Sequence, residues 1–168
     1  HQLFESLFRG LLSALGVADL DADGHRDVIA ACNGRIVYLH SPADPRQAAG
    51  WVLSTIDQSS GADIAQWNDV VIGNIDGTAG QDIVACNANT GRVCWFRSPG
   101  DPSSGTGWIR VDIDKTTRSN AAGVAVDDVD GDGRNDVIST APGETTGRVA
   151  WYKNPADPSS GTWTKNVI

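Results

Sequence analysis

The chain has 168 residues, a formal net charge of −8, and 40% hydrophobic and 20% charged residues. This hydrophobic content is sufficient for a packed core, and together with 19 Gly it argues against a disordered chain and against a protein of long helices. The negative charge argues against nucleic acid as a partner, because phosphate binding requires clustered Lys and Arg. No apolar segment reaches the roughly 18–20 residues that a membrane-spanning helix requires, so we expect no membrane span.

The first twelve residues differ in pattern from the rest of the chain. Apolar residues recur there at helical spacing, and Glu5 and Arg9 lie four residues apart. The apolar residues are Leu3, Phe4, Leu7, Phe8, Leu11 and Leu12. We interpret the segment as an apolar lead-in packed between repeats, or alternatively as an exposed amphipathic helix that binds a partner. Since the chain contains no Met and begins with His1, either a leader has been removed or the sequence is part of a longer chain.

An acidic segment returns three times along the chain. It begins at Asp19, Asn74 and Asp128, a period of about 55 residues. Each copy is followed by an aromatic strand, a Pro-containing loop and a last strand that begins with Trp. Self-similarity at this period identifies a repeat architecture, and we divide the chain into blade repeats 1–56, 57–113 and 114–168.

Each repeat contains four short segments that are rich in Val, Ile, Trp and Tyr and are bounded by Gly, Pro, Asn and Asp. In the third repeat the predicted strands are Gly123–Asp127, Asp136–Thr140, Arg148–Lys153 and Trp163–Ile168. Four antiparallel strands per repeat make one blade of a β-propeller, in which radial repetition leaves only short sheet edges. We therefore predict an all-β fold of three four-stranded antiparallel blades, each of about 56 residues.

The order of motifs resembles a known family of repeats. The third repeat reads Asp-x-Asp-x-Asp-Gly-x-x-Asp from Asp128 to Asp136, then a Val-x-Trp-Tyr strand that ends at Tyr152, then Asn-Pro-x-Asp-Pro from Asn154. This resembles the FG-GAP/VCBS family, the calcium-loop β-propeller repeats of integrin α-subunits, fungal lectins and many secreted carbohydrate-active proteins. The resemblance implies a secreted, extracellular, calcium-stabilised propeller, commonly of about six or seven blades.

The resemblance also implies calcium ligands in two of the acidic loops. Calcium takes roughly six to eight oxygen ligands, and alternate residues of a tight loop direct their oxygens to one point. A Gly at the sixth loop position permits the turn that brings the later ligands around the ion. The first loop offers Asp19, Asp21, Asp23, the carbonyl of His25, and Asp27; the third offers Asp128, Asp130, Asp132, the carbonyl of Arg134, and Asp136.

The middle loop departs from this pattern. Asn74, Asp76 and Asp82 remain, but Thr78 replaces an Asp and Ala79 replaces the Gly of the sixth position. We expect this loop to bind calcium weakly or to stay empty. The alternative for all three loops is that the Asp residues cap turns through backbone amides and hold no metal.

Three blades cannot close a ring, so we expect further copies of the chain, or further blades, to complete it. Our leading prediction is a binding or adhesion module, lectin-like, whose partner is a glycan or another extracellular surface. Two alternatives remain: a self-assembling extracellular structural subunit, as in a filament or surface layer, and a non-catalytic fragment of a larger carbohydrate-active enzyme. We predict no enzyme activity within this chain, because His1, His25 and His40 do not recur and have no evident Cys or Ser partner.

Aromatic residues recur at two strand positions in every repeat. These residues are Tyr38, Trp95 and Trp151, and Trp51, Trp108 and Trp163. Because every repeat has them, we predict that they form the core between blades. Trp67 has no counterpart in the third repeat, so it is the candidate for an exposed ligand-stacking residue, placed in a loop before the first strand of its repeat.

The three cysteines, Cys32, Cys86 and Cys94, cannot all pair within one chain. Cys86 and Cys94 flank a short turn, and their side-chain register decides whether they approach each other. We expect small buried thiols on strands.

Overall fold

The computed structural model describes residues 12–32, 34–58, 67–115, 121–141 and 148–168. The lead-in predicted over residues 3–11 lies outside the described residues, and Leu12 begins the first strand. The described ranges contain twelve strands and two short 3-10 turns, Ala48–Gly50 and Pro102–Ser104. Within these ranges we find no helix long and apolar enough to cross a membrane.

The strands form three sheets, each made of four consecutive strands paired antiparallel in chain order. The first sheet contains β1 Leu12–Ala18, β2 Asp27–Cys32, β3 Arg35–His40 and β4 Val52–Gln58. The second contains β5 Trp67–Gly73, β6 Asp82–Asn87, β7 Val93–Arg97 and β8 Ile109–Asp114. The third contains β9 Gly123–Asp127, β10 Asp136–Ala141, β11 Arg148–Lys153 and β12 Thr164–Val167. The predicted all-β fold of three four-stranded antiparallel repeats is confirmed, and the sheets are consistent with propeller blades.

The second sheet is covered on both faces, because alternate side chains of a strand point to opposite sides. On β7, Cys94 and Phe96 belong to the core shared with the first sheet, whereas Val93 and Trp95 belong to the core shared with the third. First strands lie against one another, β1 against β5 and β5 against β9. The sheets therefore stack face to face in chain order, with an apolar core in each of the two interfaces.

The recurring aromatic residues of the third strands lie in these interfaces. Tyr38 is buried between the first and second sheets, and Trp95 is buried between the second and third. Trp151 occupies the equivalent position of the third sheet but is only half-buried. It lies on the opposite face of β11 from Tyr152, which packs toward the second sheet.

The cysteines are buried free thiols, as expected. Cys86 faces the third sheet and Cys94 faces the first, so the two sulfurs lie on opposite sides of the second sheet. Burial raises the pKa of Cys86 to about 12, which keeps this thiol protonated and unreactive at neutral pH.

Polar contacts between sheets repeat as well, and no sequence motif predicted them. Asp57 at the end of β4 lies 3.6 Å from Arg110 of β8. Asp114 at the end of β8 lies 3.0 Å from Lys165 of β12 and accepts a 2.7 Å hydrogen bond from Tyr152. Asp57 and Asp114 occupy equivalent positions, so each carboxylate connects its sheet to the next one.

Candidate functional site

The first and third acidic loops fold in the same way, each between the first and second strands of its sheet. In the third loop, Asp128 accepts hydrogen bonds from the backbone N–H groups of Asp132 (3.1 Å) and Gly133 (2.8 Å). In the first loop, Asp19 accepts the equivalent bonds from Asp23 (3.1 Å) and Gly24 (3.0 Å). Gly24 and Gly133 have φ of 89° and 86°, so the sixth position makes the turn that its Gly predicts.

Acidic side chains converge in both of these loops. Asp19, Asp21 and Asp23 place one ligand atom each within 4.8 Å of one another, and so do Asp128, Asp130 and Asp136. Asp27 joins Asp21 and His40 in an overlapping group. Carboxylate oxygens at this separation fit a hard divalent cation such as Ca²⁺. The two loops are therefore acidic clusters that could bind a metal; the individual ligands remain predictions.

Asp132, a predicted ligand of the third loop, is not among the three residues that converge there. The carboxylate of Asp132 pairs with the guanidinium of Arg134 and lies 3.0 Å from Nζ of Lys153. The side chain of His25 lies 3.2 Å from Asp23. Since the sequence predicts only the carbonyls of His25 and Arg134 as ligands, these side-chain contacts leave that prediction untested.

A basic residue at the end of the third strand reaches the third position of each loop. His40 Nε2 lies 2.9 Å from Asp21, and Arg97 Nε lies 2.7 Å from Asp76. Lys153 Nζ pairs with Asp130 in the same manner. These three residues were not among the predicted site residues. Their signal was available, because His40, Arg97 and Lys153 each stand two residues after the recurring aromatic.

The middle loop satisfies its polar groups within the protein. Asn74 accepts a 2.7 Å hydrogen bond from the N–H of Gly77 and donates one to the carbonyl oxygen of Thr78. The Thr78 hydroxyl donates to Asp76 at 2.6 Å. Although burial acts to raise the pKa of Asp76, hydrogen bonds from Thr78 and Arg97 hold it below its ordinary value. With two carboxylates and a guanidinium, this loop has less negative charge to offer a cation.

In every repeat, the Asp at the ninth loop position is buried and its carboxylate accepts several hydrogen bonds. Asp136 accepts hydrogen bonds from Val129 N (3.2 Å), Asn154 N (2.8 Å) and the indole N–H of Trp151 (2.8 Å). In the first repeat, Asp27 accepts the equivalent bonds from Leu20 N, Ser41 N and the Tyr38 hydroxyl. In the second repeat, Asp82 accepts bonds from Ile75 N and Ser98 N. These fully buried carboxylates tie each loop to the end of the third strand. They have a structural role whether or not a metal binds.

Ala22 in the first loop carries backbone strain that can be relieved. Its φ is 62°, and the equivalent fourth positions are Gly77 and Gly131, at 73° and 75°. A left-handed conformation costs an L-residue roughly 1–2 kcal/mol, part of which the lower entropy of unfolded Ala offsets. We expect Ala22→Gly to raise the free energy of unfolding by about 0.5–1 kcal/mol, measured by urea unfolding.

The matched variant is Gly131→Ala, which we expect to lower the free energy of unfolding by a similar amount. A Cβ at Gly131 has no atom within 4 Å, so the substitution introduces no steric clash beside the backbone strain and the entropy change of the unfolded chain. A loss of stability in Ala22→Gly would contradict this explanation.

Trp67 is not an exposed ligand platform, which corrects the prediction. It begins β5, is 2% exposed, and packs edge-on against Phe96 with ring centroids 5.6 Å apart. The guanidinium of Arg110 lies 5.5 Å from its ring centroid. Stacking on a sugar requires an open ring face, which the buried Trp67 does not offer. Trp67 is a core residue of the first interface.

Two clefts lie between neighbouring loops on the side of the acidic segments. The first cleft, of 390 Å³, lies between Asp21 of the first loop and Thr78 of the middle loop, and Arg97 and Gly100 also line it. The second, of 260 Å³, lies between the middle and third loops. Its lining includes Asp76, Gly77, Arg134 and Ala156. Since Gly100 and Ala156 are equivalent positions of the Pro-containing loop, the two clefts are copies of one feature.

Comparison with known families identifies the third repeat. Residues 120–152 match the family described as FG-GAP repeat. The match includes the third acidic loop and the Val-Ala-Trp-Tyr strand that carried the sequence resemblance. No curated protein matches the chain. The part of the third sheet that ends at Tyr152 therefore matches the repeat family that its sequence resembles.

Proposed function

We propose that this chain is a calcium-stabilised β-propeller module that binds glycans outside the cell. The observation that carries the proposal is the pair of equivalent clefts, each placed between two loops of the acidic type. The FG-GAP match supports a propeller module. Binding is proposed instead of catalysis, since this repeat is a non-catalytic propeller repeat.

Calcium would be held by the first and third loops. Asp19, Asp21 and Asp23 supply oxygens in one, and Asp128, Asp130 and Asp136 in the other. The ion would add positive charge between carboxylates that otherwise repel one another, and so fix the loops that flank the clefts. Extracellular calcium modules bind Ca²⁺ with dissociation constants of roughly 10⁻⁴–10⁻³ M. Loops with such a weak calcium affinity are suited to the calcium-rich extracellular medium.

The clefts suit a neutral, hydroxyl-rich ligand. The first cleft combines charged side chains, Asp21 and Arg97, with the Ser98 hydroxyl and the apolar rings of Pro99 and Pro102. Sugar rings present hydroxyl groups for such polar partners and C–H faces for the prolines. The net charge of −8 disfavours polyanionic ligands. Two equivalent clefts on one chain would let weak single-site binding become stronger through multivalency.

The test is titration of a panel of neutral oligosaccharides into the folded protein in the presence of calcium, with binding monitored by saturation-transfer NMR. The blocking variant is Gly100→Trp with Ala156→Trp, which fills both clefts. A Cβ at Gly100 meets no atom within 4 Å, and Ala156 is exposed, so the fold should tolerate both changes. We expect at least a tenfold loss of affinity.

The matched control is Ala43→Trp, at the equivalent exposed position of the first sheet, which lines neither cleft. It should retain binding. The proposal would be abandoned if no oligosaccharide bound the folded wild-type protein, or if the blocked variant bound as tightly as the control.

A further inference from the structure

The three acidic loops differ in the side chain that reaches them from the end of the third strand. Equivalent positions of β3, β7 and β11 carry His40, Arg97 and Lys153. Each of these residues contacts the carboxylate at the third position of its loop. A guanidinium and an ammonium keep their positive charge at neutral pH, whereas a neutral imidazole offers an acceptor nitrogen. The loops therefore differ in whether a permanent side-chain cation lies among their carboxylates.

Lys153 holds two of the carboxylates that the third loop is predicted to offer to calcium. Its ammonium pairs with Asp130 and lies 3.0 Å from Asp132. The carboxylate of Asp132 also pairs with the guanidinium of Arg134, and it accepts a 3.1 Å hydrogen bond from the Arg134 backbone N–H. Both oxygens of Asp132 therefore already have a donor, and the ammonium supplies the positive charge that a metal ion would supply.

The composition of the two acidic clusters differs in the same sense. In the first loop, the fifth-position carboxylate of Asp23 belongs to the converging group. In the third loop, Asp136 of the ninth position takes that place and Asp132 of the fifth position does not. His40 Nε2 lies 3.6 Å from Asp23, beyond hydrogen-bond distance, whereas Lys153 Nζ lies 3.0 Å from Asp132. The loop with the permanent cation is therefore also the loop whose fifth carboxylate is paired with that cation.

We propose that Lys153 competes with calcium, so that it lowers the calcium affinity of the third loop below that of the same carboxylates without a side-chain cation. This inference rests on the calcium binding proposed above, and it assigns the control of affinity to a residue outside the predicted ligands. Calcium binding to Asp130 requires the ammonium to leave or to share that carboxylate, and two like charges then repel each other. Arg97 represents the stronger form of the same arrangement, because its loop also has Thr78 in place of the fifth carboxylate.

The test measures calcium binding to the third loop alone, by titration calorimetry in an Asp21→Asn background that disables the first loop. Lys153→Met removes the charge and keeps the length of the side chain, which is 38% exposed, so the fold should tolerate it. We expect this variant to bind calcium about three- to tenfold more tightly than the parent, because surface ion pairs no longer compete with the metal. Lys153→Arg keeps the charge and should bind calcium no more tightly than the parent.

Lys115→Met is the matched control, because it makes the same change in net charge away from the loops. Lys115 follows Asp114, which pairs with Val93 at the start of β7, whereas the acidic loop lies beside the end of that strand. Its ammonium lies 3.2 Å from Asp112. The calcium affinity of this variant should equal that of the parent.

The reciprocal experiment introduces a cation into the first loop. His40→Lys, in an Asp130→Asn background that disables the third loop, should lower the calcium affinity by a similar factor, because the introduced ammonium would reach Asp21. His40→Gln adds no charge and should lower the affinity less. An equal loss in these two variants would count against charge as the cause and would overturn the proposal.

The remaining outcomes separate this inference from the proposed calcium binding itself. If the parent bound calcium and Lys153→Met bound it with the same affinity, or if Lys115→Met gained as much affinity, the competition would be overturned and calcium binding would stand. If neither the parent nor Lys153→Met bound calcium, both would be overturned. Calcium binding by Lys153→Met alone would support the competition, because the lysine would then be sufficient to exclude the metal.

Discussion

Replacing Asp136 with Ala is expected to remove a large share of the stability of the fold. The change leaves the N–H groups of Asn154 and Trp151 without their acceptor in a buried site, and it cuts the bond to Val129. An unsatisfied buried donor costs about 1–3 kcal/mol, so we expect a loss of about 3–5 kcal/mol. A domain of this size has only about 5–15 kcal/mol in total. Urea unfolding, carried out in a calcium chelator, measures the loss.

The chelator separates the two roles of this carboxylate, because metal ligation contributes nothing without metal. Asp82→Ala makes the same change in the middle loop, where fewer carboxylates are available for a cation. We expect it to cost about 2–4 kcal/mol, since Asp82 accepts two backbone bonds. Burial raises the pKa of Asp82, which shows that the charged form also costs free energy in the fold and offsets part of its benefit.

Asp132→Ala is the surface control in the same loop as Asp136. Its carboxylate pairs with Arg134 and Lys153 at the surface, where such pairs contribute about 0–1 kcal/mol. If Asp136→Ala were no more destabilising than Asp132→Ala in the presence of chelator, the buried carboxylate of Asp136 would have no structural role of its own.

The sheets and the acidic loops were predictable because their signals are local. Of the four predicted strands of the third repeat, two have the bounds found in the structure, and the other two differ from it by one residue at one or both ends. The loop pattern of alternating Asp and a Gly at the sixth position fixes the turn within a few residues. Gly24 and Gly133 adopt the same left-handed conformation, although they are far apart in sequence.

Contacts between sheets were less predictable, because they depend on register and on residues distant in sequence. Trp67 begins β5, where the pairing with β6 is irregular between Trp67 and Asp69, and its ring packs in the core against Phe96. Comparison with the third repeat could not reveal this. Arg110 and Asp57 likewise meet across an interface that no short motif marks, although Asp57 and Asp114 recur at one position.

Removal of calcium is expected to lower the melting temperature by about 5–10 °C, if the first and third loops bind the ion as proposed. At about 1 mM calcium, a site with a dissociation constant near 0.1 mM adds about 1.4 kcal/mol, so two sites add about 2.8 kcal/mol. For a chain of this length, the melting temperature changes by roughly 2–4 °C for each kcal/mol of unfolding free energy. Asp21→Asn and Asp130→Asn should each remove about half of the calcium-dependent shift, measured by calorimetry with and without chelator.

Asp76→Asn is the matched control, because it makes the same substitution at the third position of the middle loop. Arg97 already supplies a positive charge to Asp76 at 2.7 Å, and the polar groups of Asn74 and Thr78 bond within the loop. We therefore expect this variant to keep the full calcium-dependent shift. A shift reduced as much as in Asp130→Asn would show that the middle loop binds calcium despite its Arg. A wild-type melting temperature unaffected by chelator would show that the backbone hydrogen bonds of the loops are sufficient without metal.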